Sequence, residues 1–125
     1  MFEFHNQKAV YLQLKEIIEQ AILLDSLKPH DPVPSIRTLA KDYKLNPITV
    51  SKTIDILVGE EVLYKKVGIG MFVCEQAKQK ILVAQLDNFK INDLISTIEK
   101  AIMFGISKAE IEEIVNKIYG GKNVR

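Results

Sequence analysis

The sequence holds no tryptophan, one cysteine and two histidines, and its charges nearly cancel. Cys74 cannot form an internal disulfide, and with only His5 and His30 no Cys/His set of zinc spacing can be assembled. No metal or other cofactor is expected. No run of the residues AVILMFWYC exceeds four, far short of the ~20 apolar residues of a membrane span. The opening MFEFHNQK lacks the basic-then-apolar layout of a signal peptide. The expectation is a cytoplasmic protein with no membrane partner. Seventeen basic and sixteen acidic residues leave a net charge of +1, so composition carries no polyanion footprint. Residues 28–73 hold seven basic and five acidic groups, a weak local bias.

What is present is an ordinary globular composition, 47% hydrophobic and 26% charged over 125 residues, which predicts one small domain with an appendage. From Ala9 to Leu24, Val10, Leu14, Ile17, Ile18, Ala21 and Ile22 recur at three and four, the pattern of an amphipathic helix. Pro29, Pro32 and Pro34 then forbid helix and predict a stiff connector. Ser35 offers an N-cap for a short helix to about Tyr43, with Ile36, Leu39 and Ala40 inward. Lys44-Leu45 makes a turn. Asn46-Pro47 starts another helix, since Asn is a favoured cap and Pro a favoured first residue. This third helix runs to about Val58, burying Val50, Ile54 and Leu57 while Ile48, Thr49, Ser51, Lys52 and Asp55 face out, and Gly59 ends it. Residues 62–67 and Met71–Val73 read as two strands joined through Gly68-Ile69-Gly70, while Tyr11, Tyr64 and Phe72 read as core.

From Lys78 to Phe104 the apolar spacing is helical but slips in phase between Asp87 and Asp93, predicting one bent helix or two. Gly105 ends it, and Ser107 with Glu110 forms a capping-box pair before a last helix to about Tyr119. Two stripes, Leu94, Ile95, Ile98, Ile102 and Ile111, Ile114, Ile118, are more than one helical hairpin can bury alone, which predicts a homodimer. The fold class is mostly α with a small β-hairpin. Three helices, the last two joined by a tight turn, followed by a hairpin form a winged helix-turn-helix whose third helix enters the DNA major groove. Residues 1–75 are the expected DNA-binding domain and 76–125 the helical region for dimerisation and effector coupling.

Five separated motifs, Tyr11-Leu12-Gln13-Leu14, Leu27-Lys28-Pro29, the run from Val33 to Ala40, Asn46-Pro47-Ile48-Thr49-Val50-Ser51-Lys52 and the run from Gly68 to Val73, fall in register with the GntR family of bacterial transcription regulators. The sequence resembles that family over about residues 9–73, and its short tail resembles the YtrA-like subfamily. The resemblance implies a repressor acting as a homodimer on a two-fold-related double-stranded operator, with a transporter operon as a frequent target. It implies DNA contacts by Ser35 and Arg37 at the second helix, by Asn46, Pro47, Ile48, Thr49, Ser51 and Lys52 at the third, and by a wing around Lys65, Lys66, Gly68 and Gly70. Independently of the resemblance, Thr49 can bond base or phosphate, Ile48 can meet a thymine methyl, and Arg37 and Lys52 can neutralise phosphates. Ser35 and Asn46 read as caps before they read as base contacts.

The chain departs from the family pattern at several places: beside Asp31, which keeps its family place, His30 and Pro32 replace the usual Gly and basic residue. Lys44 and Glu61 stand where glycine is usual, a cost on the order of 1 kcal/mol each if φ is positive. Val67 and Ile69 stand where basic residues are frequent, leaving the wing poor in charge. A catalytic role is excluded by the lack of a His or Cys beside the candidate acids Glu60 and Glu61, of a Gly-rich phosphate loop and of a nucleophile motif. The rival function is a winged-helix protein-interaction module without DNA binding. The sequence locates no effector site.

Overall fold

A computed structural model describes residues 4–5 and 7–121, with the side chains of Asp87, Asn88 and Lys90 left undescribed. Its elements in chain order are α1 (Val10–Leu23), β1 (Pro32–Val33), α2 (Ile36–Tyr43), α3 (Pro47–Gly59), β2 (Leu63–Lys66), β3 (Gly70–Val73), α4 (Ala77–Asn88), a π-helical segment (Phe89–Leu94), α5 (Ile95–Met103) and α6 (Lys108–Tyr119). They divide into two compact units, Met1–Ala84 and Gln85–Arg125.

In the first unit each helix turns one apolar stripe inward: Leu14, Ile18 and Ile22 from α1, Leu39 and Ala40 from α2, and Val50, Ile54 and Leu57 from α3. Val33, Leu63, Met71 and Val73 close the core from the strands. Ala77 and Ile81 of α4 are buried in it too, which is why this unit reaches past the last strand to Ala84. The caps are local and follow the residues. Ser35 Oγ accepts the Thr38 N–H at 3.1 Å, and Asn46 Oδ1 accepts the Ile48 N–H at 2.8 Å.

The hairpin is part of a three-stranded antiparallel sheet in the order β1-β3-β2. Val33 pairs with Met71 and Leu63 with Val73. The connector expected between the first two helices therefore contributes an edge strand, a place where proline's missing N–H costs no ladder bond. The first hairpin strand is shorter than expected, Leu63–Lys66 in place of residues 62–67. α3 ends at Gly59, as expected, and the chain leaves it through Glu61 at φ 60°. Lys44 also has a left-handed backbone, φ 56°, so both departures from glycine carry the anticipated strain. Gly68, at φ 76°, sits in the wing turn that the Ile69 N–H closes onto the Lys66 carbonyl at 2.9 Å.

In the second unit the phase slip has a physical cause. A π-helix bonds i to i+5, so the segment Phe89–Leu94 inserts extra residues per turn and rotates the apolar stripe between its flanking helices. Gly105, at φ 82°, turns the chain, and Ser107 and Glu110 form both halves of the capping box before α6. No helix among the described residues is long and apolar enough to cross a membrane.

Candidate nucleic-acid interface

The start of α3 is set by two residues, Asn46 as the cap and Pro47 as the first helical residue. With Val50, Thr53, Ile54 and Leu57 buried, the opposite face is obliged to point outward. Ile48 is 78% exposed, Lys52 and Asp55 are exposed, and Thr49 and Ser51 are half-buried. Ile48, Ser51, Lys52, Asp55 and Ile56 line a shallow open depression along the helix. A branched apolar group, hydroxyls and an ammonium on one rigid face are the chemistry that reads base edges and adjoining phosphates.

A second depression, about 630 Å³, lies between the start of α2 and the wing. It brings together Ser35, Ile36 and Arg37 from one side and Lys65, Lys66, Val67, Gly68, Ile69 and Gly70 from the other. The cations at these two surfaces are not equivalent. Arg37 and Lys52 have no carboxylate partner among the described residues, whereas Lys65 Nζ lies 3.4 Å from Asp55 Oδ1. The Lys66 ammonium stands 5.3 Å from the centre of the Phe72 ring. At the wing tip Val67 is 100% and Ile69 74% exposed, so the tip is apolar and the wing's charge is drawn back along its strands.

The structure thus gathers Ser35, Arg37, Lys65, Lys66, Gly68 and Gly70 around one depression and Ile48, Ser51 and Lys52 around the other. Asn46, Pro47 and Thr49 belong to the first turn of the same α3. Ser35 Oγ is occupied by its capping bond and by donating to Thr38 Oγ1 at 3.0 Å, and Asn46 Oδ1 by its own cap. In the second unit Leu94, Ile95, Ile98, Ile102, Ile114 and Ile118 are exposed and Ile111 is half-buried.

Tyr11, Tyr64 and Phe72 are not core residues as the sequence suggested; all three are half-buried. Tyr64 stacks on Phe72 at 5.6 Å between ring centres, and its hydroxyl meets His30 Nδ1 at 2.8 Å. Thr53 was overlooked although it lies on the buried stripe between Val50 and Leu57. Beneath α3, Lys15 reaches Glu19 at 3.4 Å and Glu60 at 3.2 Å. Burial pushes the Glu19 carboxyl up, more than the Lys15 charge pulls it down. Burial pulls Lys15 down, but Glu19 and Glu60 together outweigh it, and its pKa lies above the usual lysine value. Among the described residues no cluster of His, Cys, Asp and Glu could hold a metal ion.

Residues 10–73 match the family described as "Bacterial regulatory proteins, gntR family". The chain is 28% identical over 109 residues to the HTH-type transcriptional repressor YtrA of Bacillus subtilis (strain 168), covering 87% of this chain and 83% of that one. It resembles the crystal structure of a transcriptional regulator from Oenococcus oeni with a TM-score of 0.72 and 30% identity, covering 94% of this chain and 97% of the other. The DNA-binding domain of AraR, solved in complex with operator ORX1, covers 58% of this chain with a TM-score of 0.52 and 27% identity, over 93% of its own length. A winged helix-turn-helix with an outward polar α3, matched by the family's pattern over half its length, makes this chain a member of the GntR family of DNA-binding transcriptional regulators.

Proposed function

We propose that the protein is a homodimeric repressor acting in the cytoplasm on a two-fold-related operator, with α3 in the major groove and the β2–β3 wing along the adjoining backbone. The observation that carries this reading is the outward face of α3, where Ile48, Thr49, Ser51 and Lys52 stand on a helix whose start is held by Asn46 and Pro47. Ile48 and Thr49 read bases, while Arg37 and Lys52 neutralise phosphates. Residues 1–75 serve DNA binding. Residues 76–125 supply the dimer contact through Leu94 and the stripes on α5 and α6, all exposed but the half-buried Ile111. The likeness to YtrA, named as a repressor, supports repression, and the resemblance to its subfamily supports a transporter operon as target.

Footprinting on the DNA upstream of the protein's own gene tests this. Two protected half-sites related by a dyad and centred about one helical turn, ~34 Å, or a multiple apart are expected. A single half-site, or no protection, sinks it. In the latter case the apolar wing tip of Val67 and Ile69, with Lys65 already paired, favours a protein-interaction module instead.

A further inference from the structure

Lys52 and Thr53 are neighbours on α3, and both grip one residue of α1. The buried Thr53 hydroxyl donates to the Tyr11 main-chain carbonyl at 2.7 Å, its alternative acceptor, the Thr49 carbonyl, being 3.4 Å away. The Lys52 ammonium sits 4.0 Å from the centre of the Tyr11 ring, well inside the ~6 Å reach of a cation–π contact. The backbone of Tyr11 is thereby tied to α3, and the Lys52 ammonium rests on its ring while Lys52 stays exposed.

We propose that Tyr11 is a positioning residue for DNA binding: its ring holds the Lys52 ammonium beside α3, charged and available to a phosphate of the bound duplex. The proposal rests on the reading of α3 as the DNA-facing helix. A free lysine side chain loses much of its rotamer freedom when it settles on a phosphate. An aromatic face restricts it beforehand without taking its charge. A carboxylate would restrict it too but would compete with the phosphate; Lys65 has such a partner in Asp55, 3.4 Å away. The two lysines thus differ in their neighbours, one resting on an aromatic face and the other paired with a carboxylate.

The test uses the full chain, with affinities for operator and for random duplex DNA at two salt concentrations. Thermal unfolding is followed alongside to confirm that each variant is folded. Tyr11→Phe, which keeps the ring, should bind like the wild type. Tyr11→Leu should weaken both DNAs by roughly two- to fivefold, the equivalent of an exposed cation–π contact, and leave the salt dependence unchanged because Lys52 keeps its charge. Lys52→Ala should weaken both and flatten the salt dependence by about one counterion. In the Lys52→Ala background Tyr11→Leu should have no further effect. An equal loss in both backgrounds, an equal loss in Tyr11→Phe, or a silent Tyr11→Leu overturns the proposal. If Lys52→Ala is silent while Ile48→Ala and Thr49→Ala lose operator affinity, the proposal falls and the reading of α3 stands. If all three are silent, both fall.

Discussion

The two units use the same kinds of apolar residue to opposite ends. In the first, Leu14, Val50, Ile54 and Leu57 are sealed from solvent among three helices and a sheet. In the second, which has two α-helices and a π-helical segment, no described residue is fully buried, and Phe89, Ile95, Ile102 and Ile118 are more than half exposed. Helix count explains the contrast. Two helices can hide only the facing part of each stripe, and a sheet and a third helix supply the missing walls in the first unit. An apolar surface that the fold does not cover is the usual mark of an association site, and this contrast supports the dimer contact proposed for the second unit.

The contrast is broken most severely in the closed core. Ile54→Ala should cost about 2–5 kcal/mol in chemical denaturation, whereas Ile114→Ala, at a half-exposed site, should cost much less in dilute protein. A loss at Ile114 equal to that at Ile54 would mean that the second unit has a closed core after all. At the proposed dimer face, Ile98→Asp should weaken association by about 1–3 kcal/mol per chain, seen in light scattering as monomer at concentrations where the wild type is dimeric. An unchanged oligomeric state would remove α5 from the interface.

On the outward face of α3, Thr49→Ala and Ile48→Ala should each lose roughly 1–3 kcal/mol on the operator and little on random DNA. Arg37→Ala should weaken both DNAs and flatten the salt dependence. Titrations on the two duplexes separate these classes. Smaller and of opposite sign, Lys44→Gly and Glu61→Gly should stabilise the first unit by about 1 kcal/mol each, since glycine holds a positive φ without strain. Thermal melts that fall instead would show that the side chains matter more than the backbone.

The smallest effect concerns pH. The folded pKa of Lys15 lies above its ordinary value of 10.5, so its stabilisation is complete below that value and is lost as pH rises through the folded one. Lys15→Met should abolish this alkaline loss, below about 1 kcal/mol for a partly exposed pair. Denaturation midpoints at pH 9 and pH 12 that shift equally in wild type and variant would refute it.

Three helix starts, at Ser35, Asn46 and Ser107, were legible because a cap bonds within three residues of itself. The stripe of α3 was legible because helical period alone decides which residues share a face. The strand at Pro32–Val33 was not, since two residues carry no period and its partner Met71 is remote in sequence. The π-helical segment left only a slip in phase, which a bend would also produce. The pairing of Lys65 with Asp55 and the seat of Lys52 on Tyr11 left no sequence signal, because each joins side chains from separate elements.

By itself, then, the sequence determined the first three helices, the caps at Ser35, Asn46 and Ser107, the hairpin that follows α3 and the outward residues of α3, all of which depend on interactions within a few residues. Tertiary structure alone decided what each cation of the candidate interface lies against. Lys52 and Lys65 are alike as letters, and only the packing of α1, α3 and the wing sets one on an aromatic face and the other against a carboxylate. Coulombic and cation–π contacts act over a few ångströms of space, and chain distance says nothing of them until the core has closed.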